Sequence, residues 1–288
     1  MKKISVILIL LIFVGLGFYF RADLLNFYDH LTKNFSDIEK ISLDQLVKDI
    51  QKQVSAPPPL RLNQEESLAT LTKSGVIKWT NLQRAANGGL LPLALNTKLD
   101  AAALAKVQEM FKNQYFEHVS PAGAGPEDLA KKFSYSFVAF GENLALGNFK
   151  DEEALVQAWM DSPGHRANIL NTRYREIGVA VLKGVFEGRT TWIAVQEFGF
   201  PLAACPQPDA ALKSQIEFYK KQADDLILLI DEKRKEIENT RFDSRRQYNQ
   251  AVSQYNDLVG QYNNLVSQIK LLINSYNSQV SQFNSCAR

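Results

Sequence analysis

The stretch that decides the fold opens with Gly141-Glu142-Asn143-Leu144 and continues through Trp159-Met160-Asp161-Ser162-Pro163-Gly164-His165-Arg166-Ala167-Asn168-Ile169-Leu170. It goes on to Glu176-Ile177-Gly178-Val179-Ala180 and closes with Val195-Gln196-Glu197-Phe198-Gly199. Upstream, Tyr115-Phe116-Glu117-His118-Val119-Ser120-Pro121 belongs with it. The chain has 3 histidines, and two of them, His118 and His165, fall in these pieces. Both lie next to turn-forming serine and proline, where a loop scaffold positions a side chain for function rather than for packing alone.

Helices and strands can be read around this core. Val76–Ala86 reads as a helix stopped by Asn87-Gly88-Gly89. Asn81 and Arg84, three apart, share one of its faces. Leu99 to Lys112 reads as a second helix, with Leu99, Ala103, Val107, Met110 and Phe111 on one side. Pro126-Glu127-Asp128 starts another, with proline in the first turn and acids at the positive end. Asp151-Glu152-Glu153 opens a helix that runs through Trp159 and breaks at Ser162-Pro163-Gly164. Ile177–Leu182 and Thr191–Phe198 read as two strands joined across Gly184 to Gly188. On the second strand Gln196 and Glu197 point to opposite faces, so they cannot both enter one cleft.

In this order the segments resemble the CAP superfamily, or SCP-like extracellular domain, in its bacterial form. The resemblance runs from about Leu68 to Pro206. It implies an α+β fold, a three-layer α-β-α sandwich, with a cleft lined by histidines and acids. His118, Glu142 and His165 are the cleft residues it points to, with Asn143, Ser162, Gln196 and Glu197 as further candidates. Two imidazoles beside a carboxylate suit either of two chemistries. They can ligate a divalent metal such as zinc, here through His118 and His165, or exchange protons near neutral pH. The third reading is a polar cluster that pins loops and contacts a ligand without turnover. Many family members carry a glutamate three residues after the helix tryptophan, and here that position is Ser162. Asp161 or Glu197 would have to replace it. No HExxH and no nucleophile elbow is present, and the catalytic residues stay unassigned.

Composition narrows the partners. The chain has 288 residues, a net charge of +2 and 22% charged residues, without a basic stripe, which speaks against nucleic acid. Lys2 and Lys3 precede an uncharged run, Ile4 to Phe20, ended by Arg21. The run is at the short limit of a membrane span and lacks a small-x-small cleavage site. Residues 1–21 are therefore expected to be an uncleaved anchor that places the rest of the chain outside the cell membrane. Residues 22–64 read as a juxtamembrane amphipathic helix and a linker built on Pro57-Pro58-Pro59, with the domain at 65–206.

After Pro208 the pattern changes. Tyr248, Tyr255, Tyr262, Ile269, Tyr276 and Phe283 recur at heptad spacing, with Val252, Val259, Val266, Ile273 and Val280 between them. An earlier seam, Leu212, Ile216, Tyr219, Ala223, Leu226, Ile230 and Ile237, does not join it in phase. Residues 207–288 are therefore expected to be a coiled coil, a hairpin turning near 240–246 that brings Cys286 to Cys205. One long self-associating helix is the other possibility. The expected function is an outward-facing envelope module that binds a small ligand, lipid or envelope component. The alternative is a metal-assisted envelope hydrolase using the same cleft.

Overall fold

The computed structural model describes residues 52–62 and 69–288. The expected N-terminal anchor and juxtamembrane helix lie outside these residues. Among the described residues no helix is long and apolar enough to cross a membrane. The described chain forms two compact units. One runs to Pro206 and takes in Phe283–Arg288, and the other holds Gln207–Gln282.

The first unit is built on a six-stranded sheet. Its strands are β1 (Gln53–Ser55), β2 (Leu60–Arg61), β3 (Ala94–Leu95), β4 (Phe137–Gly147), β5 (Glu176–Phe186) and β6 (Arg189–Pro201). The order is β1-β4-β6-β5-β3, with β2 also on β4. The long strands β4, β6 and β5 are antiparallel, and the short ones join in parallel. Glu187 and Gly188, with φ of 50° and 77°, form a two-residue turn between β5 and β6. Two left-handed residues in a row match the twist of a hairpin, and glycine takes one of them without cost. The turn lies later than the Gly184 break expected from sequence, because β5 runs straight through Gly184.

Helices cover both faces of this sheet. They are α1 (Lys73–Ala86), α2 (Thr97–Asn113), α3 (Pro126–Lys132), α4 (Glu152–Asp161) and α5 (Pro163–Ile169). Side-chain caps start three of them. Thr72 accepts from Gly75 N, Asn96 from Lys98 N and Leu99 N, and Asp151 from Ala154 N. On one face Val76, Leu155, Val156, Trp159 and Ile169 pack on Ala139, Ala145, Val179, Ala194 and Phe198. On the other, Ala103, Val107 and Met110 pack on Leu144, Ala180, Ile193 and Val195. Each large side chain buried this way contributes roughly 1.5–3 kcal/mol. The result is the three-layer α-β-α arrangement.

β4 is buried along almost its whole length on both faces. That pattern hides a strand from a sequence reading, because a doubly covered strand shows no alternation. Residues 52–62, which read from sequence as linker, lie against the free edge of this strand. The three prolines have no N–H to give a ladder, yet the residues on either side of them do pair with β4.

The second unit holds α6 (Ala210–Asn239) and most of α7 (Arg245–Cys286). Ile216, Ala223, Ile230 and Ile237 of α6 pack with Tyr255, Val259, Tyr262, Val266, Ile269 and Ile273 of α7 in one apolar cluster. Asp209 caps α6, and Ser244 Oγ accepts from Gln247 N in the first turn of α7. Cys205 and Cys286, both in the first unit, form a disulfide.

Candidate functional site

The site is assembled at the free edge of β4. β1 pairs with β4 as far as Ser55 opposite Gly141, and β2 resumes at Leu60 opposite Ala145. Between them Glu142, Asn143 and Leu144 have no strand partner on that side. Side chains take over there: Asn168 Nδ2 donates to the Glu142 carbonyl at 3.3 Å, and Trp159 Nε1 donates to the Leu144 carbonyl at 3.2 Å.

Strand alternation sends Glu142 and Asn143 to opposite faces. On the α2 face, Glu142 lies directly across from Glu197 of β6, and neither is exposed to solvent. His118, in the loop after α2, brings Nδ1 to 2.6 Å from Glu142 Oε1. The ammonium of Lys106, a buried residue of α2, donates to the His118 carbonyl at 2.6 Å and so fixes that loop. Burial, and then the neighbouring Glu142 charge, hold the Glu197 carboxyl well above its usual range, with Lys106 acting the other way. Two buried carboxylates this close repel, which favours the protonated form of Glu197, and Glu142 Oε2 and both Glu197 oxygens are buried without a hydrogen-bond partner.

On the opposite face, Asn143 Nδ2 donates to the His165 carbonyl at 3.2 Å and to Gln196 Oε1 at 3.1 Å. Gln196 Nε2 donates in turn to Thr80 Oγ1 on α1 at 2.7 Å. This network locks α5 against the sheet. α5 starts because Pro163 occupies its first turn, where a missing N–H costs nothing. His165 is buried, and its Nδ1 lies 2.7 Å from Ser162 Oγ. Burial first, then the His118 charge, lower its pKa to about 4, the Leu144 carbonyl opposing. Its Nε2 is buried and makes no hydrogen bond of good geometry, the Leu144 carbonyl being the backbone acceptor that acts on the ring.

The second acid of the site is thus Glu197 and not Asp161, whose carboxylate is exposed and bonds only to Gln157. Periodicity placed Glu197 opposite Gln196 in direction, but the register that sets it against Glu142 could not be read from one sequence. Ser162 and His165 form a Ser-His contact that lacks an orienting carboxylate on the second ring nitrogen, so no triad is completed. Asn81 exchanges two bonds with the backbone of Leu93, and Arg84 donates to the carbonyls of Leu91, Ile169 and Asn171. Both hold the shell around the site.

Residues 77–198 match the family described as CAP, Cysteine-rich secretory protein family. Over 117 residues the chain is 42% identical to Uncharacterized protein YkwD of Bacillus subtilis (strain 168), covering 41% of this chain and 43% of that one. Residues 77–198 thus carry a CAP domain. A second relative is Uncharacterized membrane protein YlbC of the same organism, 31% identical over 40% of this chain and 33% of its own length. This chain therefore spans less than half of either relative. Among solved structures, an extracellular protein containing a SCP domain from Bacillus anthracis str. Ames is 29% identical, with a TM-score of 0.38 over 44% of this chain and 39% of that one. An outer surface protein from Borrelia burgdorferi is 26% identical, with a TM-score of 0.38 over 44% of this chain and 89% of that one. All the candidate site residues lie inside the matched CAP segment.

The metal reading of this CAP site is not matched by the donors as they stand. Both ring nitrogens of His118 are engaged, Nδ1 by Glu142 and Nε2 by the Pro57 carbonyl. Among the described residues no group of three or more His, Cys, Asp or Glu converges on one point.

Proposed function

We propose that the CAP domain is an outward-facing binding module of the cell envelope that takes a polar ligand at the His118, Glu142, Glu197 and His165 cluster. The observation that carries this reading is the buried Nε2 of His165, which meets no hydrogen-bond partner, at a site whose other side holds the His118–Glu142 contact. Buried polar atoms are almost always hydrogen-bonded, and one left open in a cluster of like character marks a place for a partner. The Cys205–Cys286 disulfide supports an oxidising location, since such bonds persist outside the cytoplasm. Lys2, Lys3 and the uncharged run Ile4 to Phe20 support an N-terminal membrane anchor, and the heptad seams of α6 and α7 support a coiled-coil spacer. Turnover has less support, because neither a metal set nor a nucleophile triad is assembled.

The test is His118→Ala in the full chain, screened against envelope lipids and cell-wall fragments by direct binding. Binding to the parent, lost in the variant with its melting curve kept, supports the module. A melting curve lowered by roughly 1–3 kcal/mol with no binding in either protein would mark the cluster as purely structural.

A further inference from the structure

Residues 52–62 are more than an extra pair of strand stubs. Pro57 is the buried residue of this segment, with Lys52 to Ala56 and Pro58 exposed. Its carbonyl accepts from His118 Nε2. Its ring lies so close to Gly164, the residue before His165, that a Cβ added there would come within 2.6 Å of Pro57 Cβ. One residue therefore touches the His118 side and the His165 side of the site at once.

The segment is held at both ends and meets the site through Pro57 in its middle. Ser55 accepts at its carbonyl from Asn168 Nδ2 at 3.3 Å. Leu62 N donates to the Leu146 carbonyl at 2.9 Å, and Arg61 lies over the rings of Phe116 and Phe186. Between these holds, Pro57, Pro58 and Pro59 cannot donate to the three unpaired residues of β4. Proline here makes a bridge that crosses the site without becoming part of the sheet.

We propose that residues 52–62 form a strap that closes the CAP site, with the Pro57 carbonyl standing where the acceptor group of a ligand sits when the strap is displaced. This deepens the binding reading above and rests on it. A carbonyl only accepts, so His118 Nε2 carries a hydrogen towards it. The open site thus offers one fixed N–H donor on the His118 side and, on the His165 side, an imidazole nitrogen with no hydrogen bond of good geometry. Carbonyl, carboxylate and phosphate oxygens fit the donor. While the strap is seated, apparent affinity is reduced by the fraction of time the site is closed.

Carbethoxylation of His118 by diethylpyrocarbonate, followed by mass spectrometry of the full chain, reads the closure directly. Two variants open it: deletion of residues 52–62, and the triple change Pro57→Gly, Pro58→Gly, Pro59→Gly, which keeps the strap but raises the entropy lost on seating it. The expected result is His118 modified about tenfold faster in the deletion and by a smaller factor in the triple variant, scaling with the open fraction. An unchanged rate in a folded variant overturns the proposal. Unfolding of both variants, seen by circular dichroism, overturns it too, since the segment would then be an integral strand. Slowing of the reaction in the opened variant by inorganic phosphate or acetate supports the acceptor subsite. Opening without such protection leaves the strap standing and removes the ligand reading of the site.

Discussion

Glu142 and Glu197 face one another across β4 and β6 with no solvent exposure, and burial with the Glu142 charge holds the Glu197 carboxyl well above its usual range. Above the ordinary carboxyl value of 4.5 the unfolded chain gives up the Glu197 proton and the folded chain keeps it. Folding then takes up a proton, so stability falls as pH rises from there towards the raised folded value. Glu197→Gln keeps the shape and a donor for Glu142 while removing this dependence. The variant is expected to melt higher than the parent at about pH 8 and close to level with it at about pH 4, where Glu197 is largely protonated in either state. Thermal melts across this range check it. A variant less stable than the parent at the upper end would mean that Glu197 is ionised in the fold.

His165 gives the opposite slope at lower pH. Its value falls from 6.5 to about 4 on folding, so the unfolded chain binds a proton that the fold excludes. Stability is complete above the unfolded value and is lost as pH falls through this window, by an amount on the order of 3 kcal/mol at most. His165→Gln is expected to flatten urea denaturation midpoints between these two values. A parent whose midpoint holds constant through the window would contradict the buried neutral ring.

Arg84 is buried to 1% exposure and satisfies three carbonyls, those of Leu91, Ile169 and Asn171. Arg84→Ala strands all three and is expected to cost about 3 kcal/mol or more. Arg84→Lys returns the charge but not the fork, and is expected to recover only part of the loss. Equilibrium unfolding in urea distinguishes the two. Equal stability of all three proteins would show that water replaces the guanidinium at no cost.

The disulfide spans a sequence separation of 81. Closing a loop of this length restricts the unfolded chain by about 4 kcal/mol in the chain-entropy account. Cys205→Ser with Cys286→Ser is expected to lower the urea midpoint, and a reducing agent to lower the parent's by a similar amount. A parent insensitive to reduction would remove the bridge from the stability of the fold.

Much of the CAP unit was legible because its motifs mark turns and helix ends, where residue type is dictated by geometry. Trp159, Ser162 and Pro163 announce the break between α4 and α5 whatever surrounds them. β4 was not legible as a strand: Phe137 to Leu146 is covered on both sides and carries Glu142 and Asn143 in its middle, so neither alternation nor apolarity exposes it. The register that sets Glu197 against Glu142 is a long-range pairing, and no local pattern encodes it. The prolines at 57–59 were legible as a break in secondary structure. What they lie against was not, because a proline run looks the same in solvent and over a buried site. Gln196 and Glu197 show the converse case, since a period of two fixes their opposite faces without any knowledge of the fold.

One consequence of the bridge between Cys205 and Cys286 concerns chain breaks. Everything from Pro206 to Ser285, both long helices and the turn at 240–244, lies within a single covalent ring. A protease that cuts once inside that ring linearises it but releases nothing, and the two pieces travel together until a reductant parts them. Nicking in the exposed turn thus leaves a protein of unchanged mass save for one water, and release of a piece requires a second cut or the reduction of the bond.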